Sequence, residues 1–181
     1  SSPRNYSAGV SNNTYGLFGG GYAGSNSNII DYVTIATTGN AIDFGDLASA
    51  RRYLSAVDNG TRGIWGGGTD VYTSRLVQYV TIGTSGTCTS AGDLLITGGR
   101  ATATACHNDT RGVFMGGDSS GSGSTGHLRT MDYLTMASLG TAGDFGDLSE
   151  TRNYGAACHS DTRGVIGGGL NGSTIRNTME Y

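Results

Sequence analysis

One phrase occurs four times in this chain, and that repetition limits the folds open to it more than any other feature. The versions are Thr14-Tyr15-Gly16-Leu17-Phe18-Gly19-Gly20-Gly21, Thr61-Arg62-Gly63-Ile64-Trp65-Gly66-Gly67-Gly68, Thr110-Arg111-Gly112-Val113-Phe114-Met115-Gly116-Gly117 and Thr162-Arg163-Gly164-Val165-Ile166-Gly167-Gly168-Gly169. From the first glycine of each to the next, the steps are 47, 49 and 52 residues. That is the length of a propeller blade or a solenoid unit. A second landmark keeps almost the same period: Asp31-Tyr32, Gln78-Tyr79, Asp132-Tyr133 and Glu180-Tyr181. Three of these tyrosines open a β-prone tetrapeptide, as in Tyr32-Val33-Thr34-Ile35.

Within one copy, residues 51–57 read as a short strand and Asp58-Asn59-Gly60 as the turn that reverses it. Residues 62–65 form a second strand that ends at the glycine triplet, 76–82 a third, and a last extended piece ends at Gly92-Asp93-Leu94. Four short antiparallel strands per copy is the content of a propeller blade. With 33 glycines, one proline and no long window of helical period, a helical solenoid is disfavoured. A β-sandwich also uses many short strands, but the fourfold phrase favours radial repetition. The reading is therefore an all-β, propeller-type repeat domain over 1–181, with copies at 4–47, 51–94, 100–148 and 152–181. The fourth copy stops before its own Thr-Ile strand, so closure falls to residues following Tyr181 or to another copy of the chain.

An Arg-led strand, a hydrophobic strand running into glycines, a variable loop and an acidic residue before Tyr together resemble the kelch repeat. The Trp usual late in a kelch unit is replaced by an ending of the type Asp43-Phe44-Gly45-Asp46-Leu47. With Tyr32-Val33-Thr34-Ile35-Ala36-Thr37-Thr38-Gly39-Asn40 ahead of it, this wording is similar to kelch-like repeats in virion structural proteins of marine tailed phages. The resemblance implies a virion or extracellular location and a structural and recognition role of the tail-fibre type, with no enzymatic activity. It also implies partners among the protein chains of an assembly, which would complete the open repeat, and a cell-surface glycan as ligand. A free carbohydrate-binding lectin propeller is the alternative. Some copper oxidases carry kelch propellers, but the ligand arrangement they need does not map onto these residues.

All 11 basic residues are Arg and the net charge is -3, which gives no basic field for nucleic acid. No stretch is long and apolar enough for a membrane span, and Ser1-Ser2-Pro3-Arg4 carries no apolar leader, as expected of a processed or excised piece. Three cysteines cannot all pair within the chain. Cys106-His107 and Cys158-His159 look like metal ligands, yet the cysteines share the slot of Val10 and Val57 and are expected to be inward apolar residues. Cys88 aligns with Ala41 and Ala142 and is read the same way. Asp43, Asp46, Asp144 and Asp147 would make a calcium set, but the second copy has Ser90 in the slot of Asp43. No metal and no cofactor is therefore expected. Instead Arg4, Arg51, Arg100 and Arg152 are expected to pair with Asp46, Asp93 and Asp147.

The loops after the glycines differ most between copies: 22–28, 69–75, 118–129 and 170–176. Variable loops on a rigid scaffold are where recognition usually sits. Tyr22, Tyr72, His127 and Asn171 are the expected ligand-binding candidates, for stacking on a sugar ring or bonding its hydroxyls. Asn-x-Ser/Thr sequences begin at Asn5, Asn12, Asn59, Asn108 and Asn171, and turn preference accounts for them.

Overall fold

A computed structural model describes residues 2–120 and 126–181; the central part of the 118–129 loop and Ser1 lie outside the described residues. The described residues form 17 strands and no helix. The first blade is the meander β1 (Ala8–Ser11), β2 (Tyr15–Gly19), β3 (Ile29–Thr34) and β4 (Ile42–Asp46). The second is β5 (Arg52–Asp58), β6 (Arg62–Thr69), β7 (Leu76–Thr81) and β8 (Thr89–Asp93), and the third is β9 (Thr104–His107), β10 (Arg111–Met115), β11 (Thr130–Thr135) and β12 (Gly143–Asp147). The fourth has three strands, β13 (Ala156–His159), β14 (Gly164–Gly167) and β17 (Met179–Glu180), beside a small hairpin of β15 (Leu170–Asn171) and β16 (Thr174–Ile175). Four antiparallel sheets in this succession make a four-bladed β-propeller, with the fourth blade incomplete as expected.

The inner strands set the order of the blades: β1 packs on β5, β5 on β9 and β9 on β13. No comparable packing joins β13 to β1 among the described residues. Three apolar clusters fill the three interfaces. Val10, Leu17, Ile30, Trp65, Val80 and Ile82 form the first, and Val57, Ile64, Val77, Phe114, Leu134 and Met136 the second. The third is smaller, with Cys106, Val113, Met115, Leu148 and Ile166. The glycine spacing of the repeated phrase makes these interfaces close. A Cβ on Gly19 would lie 2.9 Å from the Trp65 ring, and one on Gly66 would lie 2.7 Å from the Phe114 ring. The first and second blades therefore each offer a bare patch of backbone on which the next blade lays its large ring, whereas the third has Met115 in that slot, clustered with Ile166.

The first inter-strand turn is built by a side chain. The Asn59 Oδ1 accepts hydrogen bonds from the amides of Thr61 (3.2 Å) and Arg62 (2.9 Å), and Asn12 and Asn108 repeat the arrangement. This Asx turn gives the asparagine at these three Asn-x-Thr positions a structural reason, and at Thr110 the hydroxyl joins it by donating to the Asn108 Oδ1 at 2.9 Å. Further along each complete blade, the pairing between third and fourth strands slips at one place: Ile30/Asp31, Val77/Gln78 and Met131/Asp132. The extra residue of this bulge is Phe44, Ala91 or Phe145. Phe44 and Ala91 are buried in the first two interfaces, whereas Phe145 is about half exposed because the fourth blade puts little against it.

The leading arginines do pair, but not with the partners expected from sequence. Arg4 meets Asp31 at 2.5 Å, Arg100 meets Asp132 at 3.1 Å and Arg152 meets Glu180 at 3.0 Å, so the carboxylates come from the acidic residue before Tyr. Asp93 and Asp147 pair on the surface with Arg75 and Arg129 instead. The second blade has Gln78 at the acidic position, and there Arg51 donates to the Gly67 carbonyl (2.6 Å), the Ser74 hydroxyl (3.0 Å) and the Leu76 carbonyl (3.3 Å). Burial pulls the Arg51 guanidinium down to about 10 against the opposing pull of the Asp70 carboxylate, leaving it charged at neutral pH.

One cysteine also departs from its expected place. Cys88 and Cys106 are buried, but Cys158 is exposed because none of the described residues packs on its side of the fourth blade as β5, β9 and β13 do on the blades before them. Burial pushes the Cys88 thiol up to about 12. At low protein concentration a thiol reagent is expected to modify Cys158 rapidly in the folded chain and Cys88 and Cys106 only on unfolding, read by intact mass. Arg100→Met is expected to cost about 3–5 kcal/mol in denaturant unfolding, since it strands a buried carboxylate. Asp132→Gln should cost less, because the second blade already places an amide at that position.

Candidate functional site

The end of the propeller where the inner strands begin carries the most unusual backbone in the molecule. Tyr6, Tyr53, Thr102 and Tyr154 hold the same slot in the four blades and all have positive φ, between 52° and 58°. Bulky side chains rarely adopt this left-handed conformation, which costs on the order of 1–3 kcal/mol at each position. It is held by a ladder around the axis. The amide of Tyr53 donates to the Tyr6 carbonyl, that of Thr102 to Tyr53, and that of Tyr154 to Thr102, each at 3.1 Å.

The same geometry gathers aromatic rings. The Tyr6 and Tyr53 centroids are 4.3 Å apart with a 39° tilt, and Tyr154 stands edge-on to Tyr53 at 6.2 Å. The Arg52 guanidinium lies over Tyr22 (4.8 Å) and reaches Tyr53 (5.5 Å). Tyr6 and Tyr154 keep roughly half of their surface in solvent. Burial among these groups, the neighbouring Tyr6 hydroxyl and the proximity of Tyr154 push Tyr53 up to about 12. Burial raises Tyr154 as well. Both hydroxyls are thus neutral donors at physiological pH, next to exposed aromatic faces.

The variable loops flank this cluster and are tied to one another. The Asn26 amide nitrogen donates to the Thr69 and Asp70 carbonyls (3.3 and 3.2 Å), and the Thr73 hydroxyl donates to Ser119 O (2.9 Å) and to Gly98 O. Of the four residues expected from sequence, only Tyr22 joins the cluster, half-buried under Arg52. Tyr72 projects into solvent, 79% exposed. The His127 Nδ1 sits 3.9 Å from the buried Asp118 carboxylate, and Asn171 Oδ1 accepts from the Thr151 hydroxyl at 2.9 Å. The structure does not bring these four together. Tyr6, Tyr53 and Tyr154 were missed in the sequence although a signal existed: Arg-x-Tyr recurs at 4–6, 51–53 and 152–154, with Thr102 the exception.

At the opposite end, the slot of Ser11, Asp58, His107 and His159 forms a second line of neighbours. The Ser11 amide donates to Asp58 (3.0 Å), Asp58 lies 3.9 Å from His107, and the two imidazoles are 4.0 Å apart. Burial lowers the His107 pKa against the opposing pull of Asp58, so the ring is neutral near pH 7. Among the described residues, no group of three or more His, Cys, Asp or Glu side chains converges as a metal site would require. Beside this line a cleft of about 400 Å³ opens between the third and fourth blades, floored by Cys106, Val113, Met115, Leu148 and Ile166. The corresponding space is filled in the first interface by Val80, Ile82 and Cys88 and in the second by Leu134, Met136 and Ala142. The cleft is the unfilled part of a repeated core and not a separately shaped pocket.

No protein-family model matches the chain, and no curated protein matches it.

The raised Tyr53 pKa gives stability a defined dependence on pH. A hydroxyl held protonated in the folded state contributes fully below the ordinary tyrosine value of 10.0 and loses that contribution as pH rises toward about 12. Unfolding free energy measured in denaturant is expected to fall between these two values. Tyr53→Phe should flatten that slope.

Proposed function

We propose that the chain is a non-enzymatic structural and recognition propeller of a virion or extracellular appendage, which engages a cell-surface glycan through its tyrosine-bearing end. The observation that carries this reading is the group of Tyr6, Tyr53 and Tyr154, the outer two exposed and Tyr53 half-buried between them, held on a strained ladder of backbone hydrogen bonds beside the variable loops. Aromatic faces next to neutral hydroxyl donors suit a sugar ring, which offers an apolar C–H face and a rim of hydroxyls. The kelch-like wording of the repeat supports the assignment to an assembly, with other protein chains as partners. Nothing in the charge balance favours nucleic acid.

The same cluster supports a second reading, a free carbohydrate-binding lectin. The two share a site and differ in whether the propeller works alone or as part of a larger particle.

The test is a glycan array probed with the labelled chain. Binding to a defined set of glycans is expected, and Tyr6→Ala and Tyr154→Ala should each weaken it about tenfold, in line with about 0.5–1.5 kcal/mol per aromatic contact. Tyr72→Ala should have a smaller effect. A folded chain that binds no glycan removes the recognition half of the proposal.

A further inference from the structure

The first and fourth blades each carry one half of an interface that the molecule forms three times elsewhere. In each internal interface the later blade inserts the third residue of the glycine phrase against the blade before it. Trp65 and Phe114 are 0% exposed there and Ile166 is 2% exposed. The first blade has Phe18 in this slot, 45% exposed and folded over its own Gly9. Ile35 is 56% exposed, while its counterparts Ile82 and Met136 are buried. The fourth blade presents the other half. Cys158 is exposed where Val10, Val57 and Cys106 are covered. Met179 is 77% exposed where Ile30 and Val77 are 0% exposed.

The register shows that the two halves do not meet within the chain. A Cβ on Gly63 would lie 2.5 Å from Val10, one on Gly112 would lie 2.6 Å from Val57, and one on Gly164 would lie 2.4 Å from the Cys106 sulfur. The equivalent Gly16 would meet Cys158 if the first blade sat on the fourth. The nearest atoms to its Cβ position are instead Val33 and Phe18 of its own blade. The fourth blade also keeps a glycine, Gly167, in the slot where Gly19 and Gly66 receive the rings of Trp65 and Phe114.

We propose that this chain associates head to tail with a second copy of itself, the first blade of one copy seating on the fourth blade of the other. Phe18 then takes the place over the partner copy's Gly167 that the flexible, exposed Met179 side chain of that copy covers in the single chain, Gly16 lies against its Cys158, and Val33 and Ile35 against its Val165 and the displaced Met179. The occupant is set by continuity with the interfaces already formed, since each exposed face is the register counterpart of a face the molecule buries. Such a contact is heterologous: it uses two different patches of the same chain, and it grows into a ring or an open filament. This inference rests on the reading of the chain as part of an assembly and names the partner.

The test uses the full chain and two single variants, Ile35→Asp and Met179→Asp. Both residues are exposed in one copy, so both variants are expected to fold. Native mass measurement of the wild type should show oligomers that increase with concentration, and each variant alone should be monomeric. Mixing the two variants leaves one intact pair of faces, so the mixture should form a dimer and nothing larger. Cys158 labelling in the wild type should slow as concentration rises. Monomeric wild type throughout, a mixture that does not dimerise, or Cys158 labelling independent of concentration would overturn the proposal. Glycan binding is read separately on the Ile35→Asp monomer, so loss of association and loss of recognition are told apart.

Discussion

The structure depends on an arginine that bonds in two directions. The Arg51 guanidinium donates to the Gly67 carbonyl in its own blade, while its backbone carbonyl accepts from the Gly21 amide of the blade before (2.8 Å). The Gly68 amide in turn donates to the Arg100 carbonyl (2.8 Å), and Gly117 donates to that of Arg152 (2.7 Å). Arginine and glycine alternate in one hydrogen-bond relay through all four blades. The glycine is obligatory at this point: Gly67 has φ of +70°, and a Cβ there would lie 2.2 Å from the Arg100 oxygen. A buried guanidinium is expensive unless its donors are used; strand carbonyls take the Nη1 donors of Arg51, Arg100 and Arg152, and the Nη2 donors are used only where a side-chain oxygen stands beside them, as in Arg100 and Arg152.

The tyrosine ladder follows from that relay. Two residues after each arginine the chain must turn into the inner strand, and the relay fixes how close adjacent blades stand. At that spacing the left-handed conformation lets each amide reach the carbonyl of the preceding blade. The strain is offset by satisfied backbone groups that would otherwise be lost near the axis. Recognition chemistry, if this end supplies it, therefore uses side chains whose positions are set by backbone bonding and not by loop conformation.

Much of this was legible in the sequence because the repeat aligns each residue with its counterparts. Slot comparison placed Cys106 with Val10 and Val57, and the structure buries all three. It failed for Cys158, because burial there depends on a neighbouring blade and not on the residue. The arginine partners were misread because Asp93 is near in sequence, whereas Asp132 is turned toward Arg100 by a bulge that no residue pattern announces. The tyrosine cluster was missed for a similar reason: Arg-x-Tyr is visible, but the convergence of three rings depends on a backbone conformation that tyrosine seldom adopts. The loop candidates were chosen for variability, which marks where contacts can change and not which side chains meet.

The relay also bears on how such a chain could change over time. From the second blade on, every step from one arginine to the next glycine uses the same bonds at the same register, while Arg4 in the first blade donates to the Phe18 carbonyl, so no residue of the repeating steps encodes the number of blades. Duplication or loss of one whole repeat through unequal recombination would leave each remaining junction chemically intact, whereas deletion of a few residues within a repeat would break two. A lineage of such chains is expected to vary in steps of one unit and to tolerate drift mainly in the loops between them.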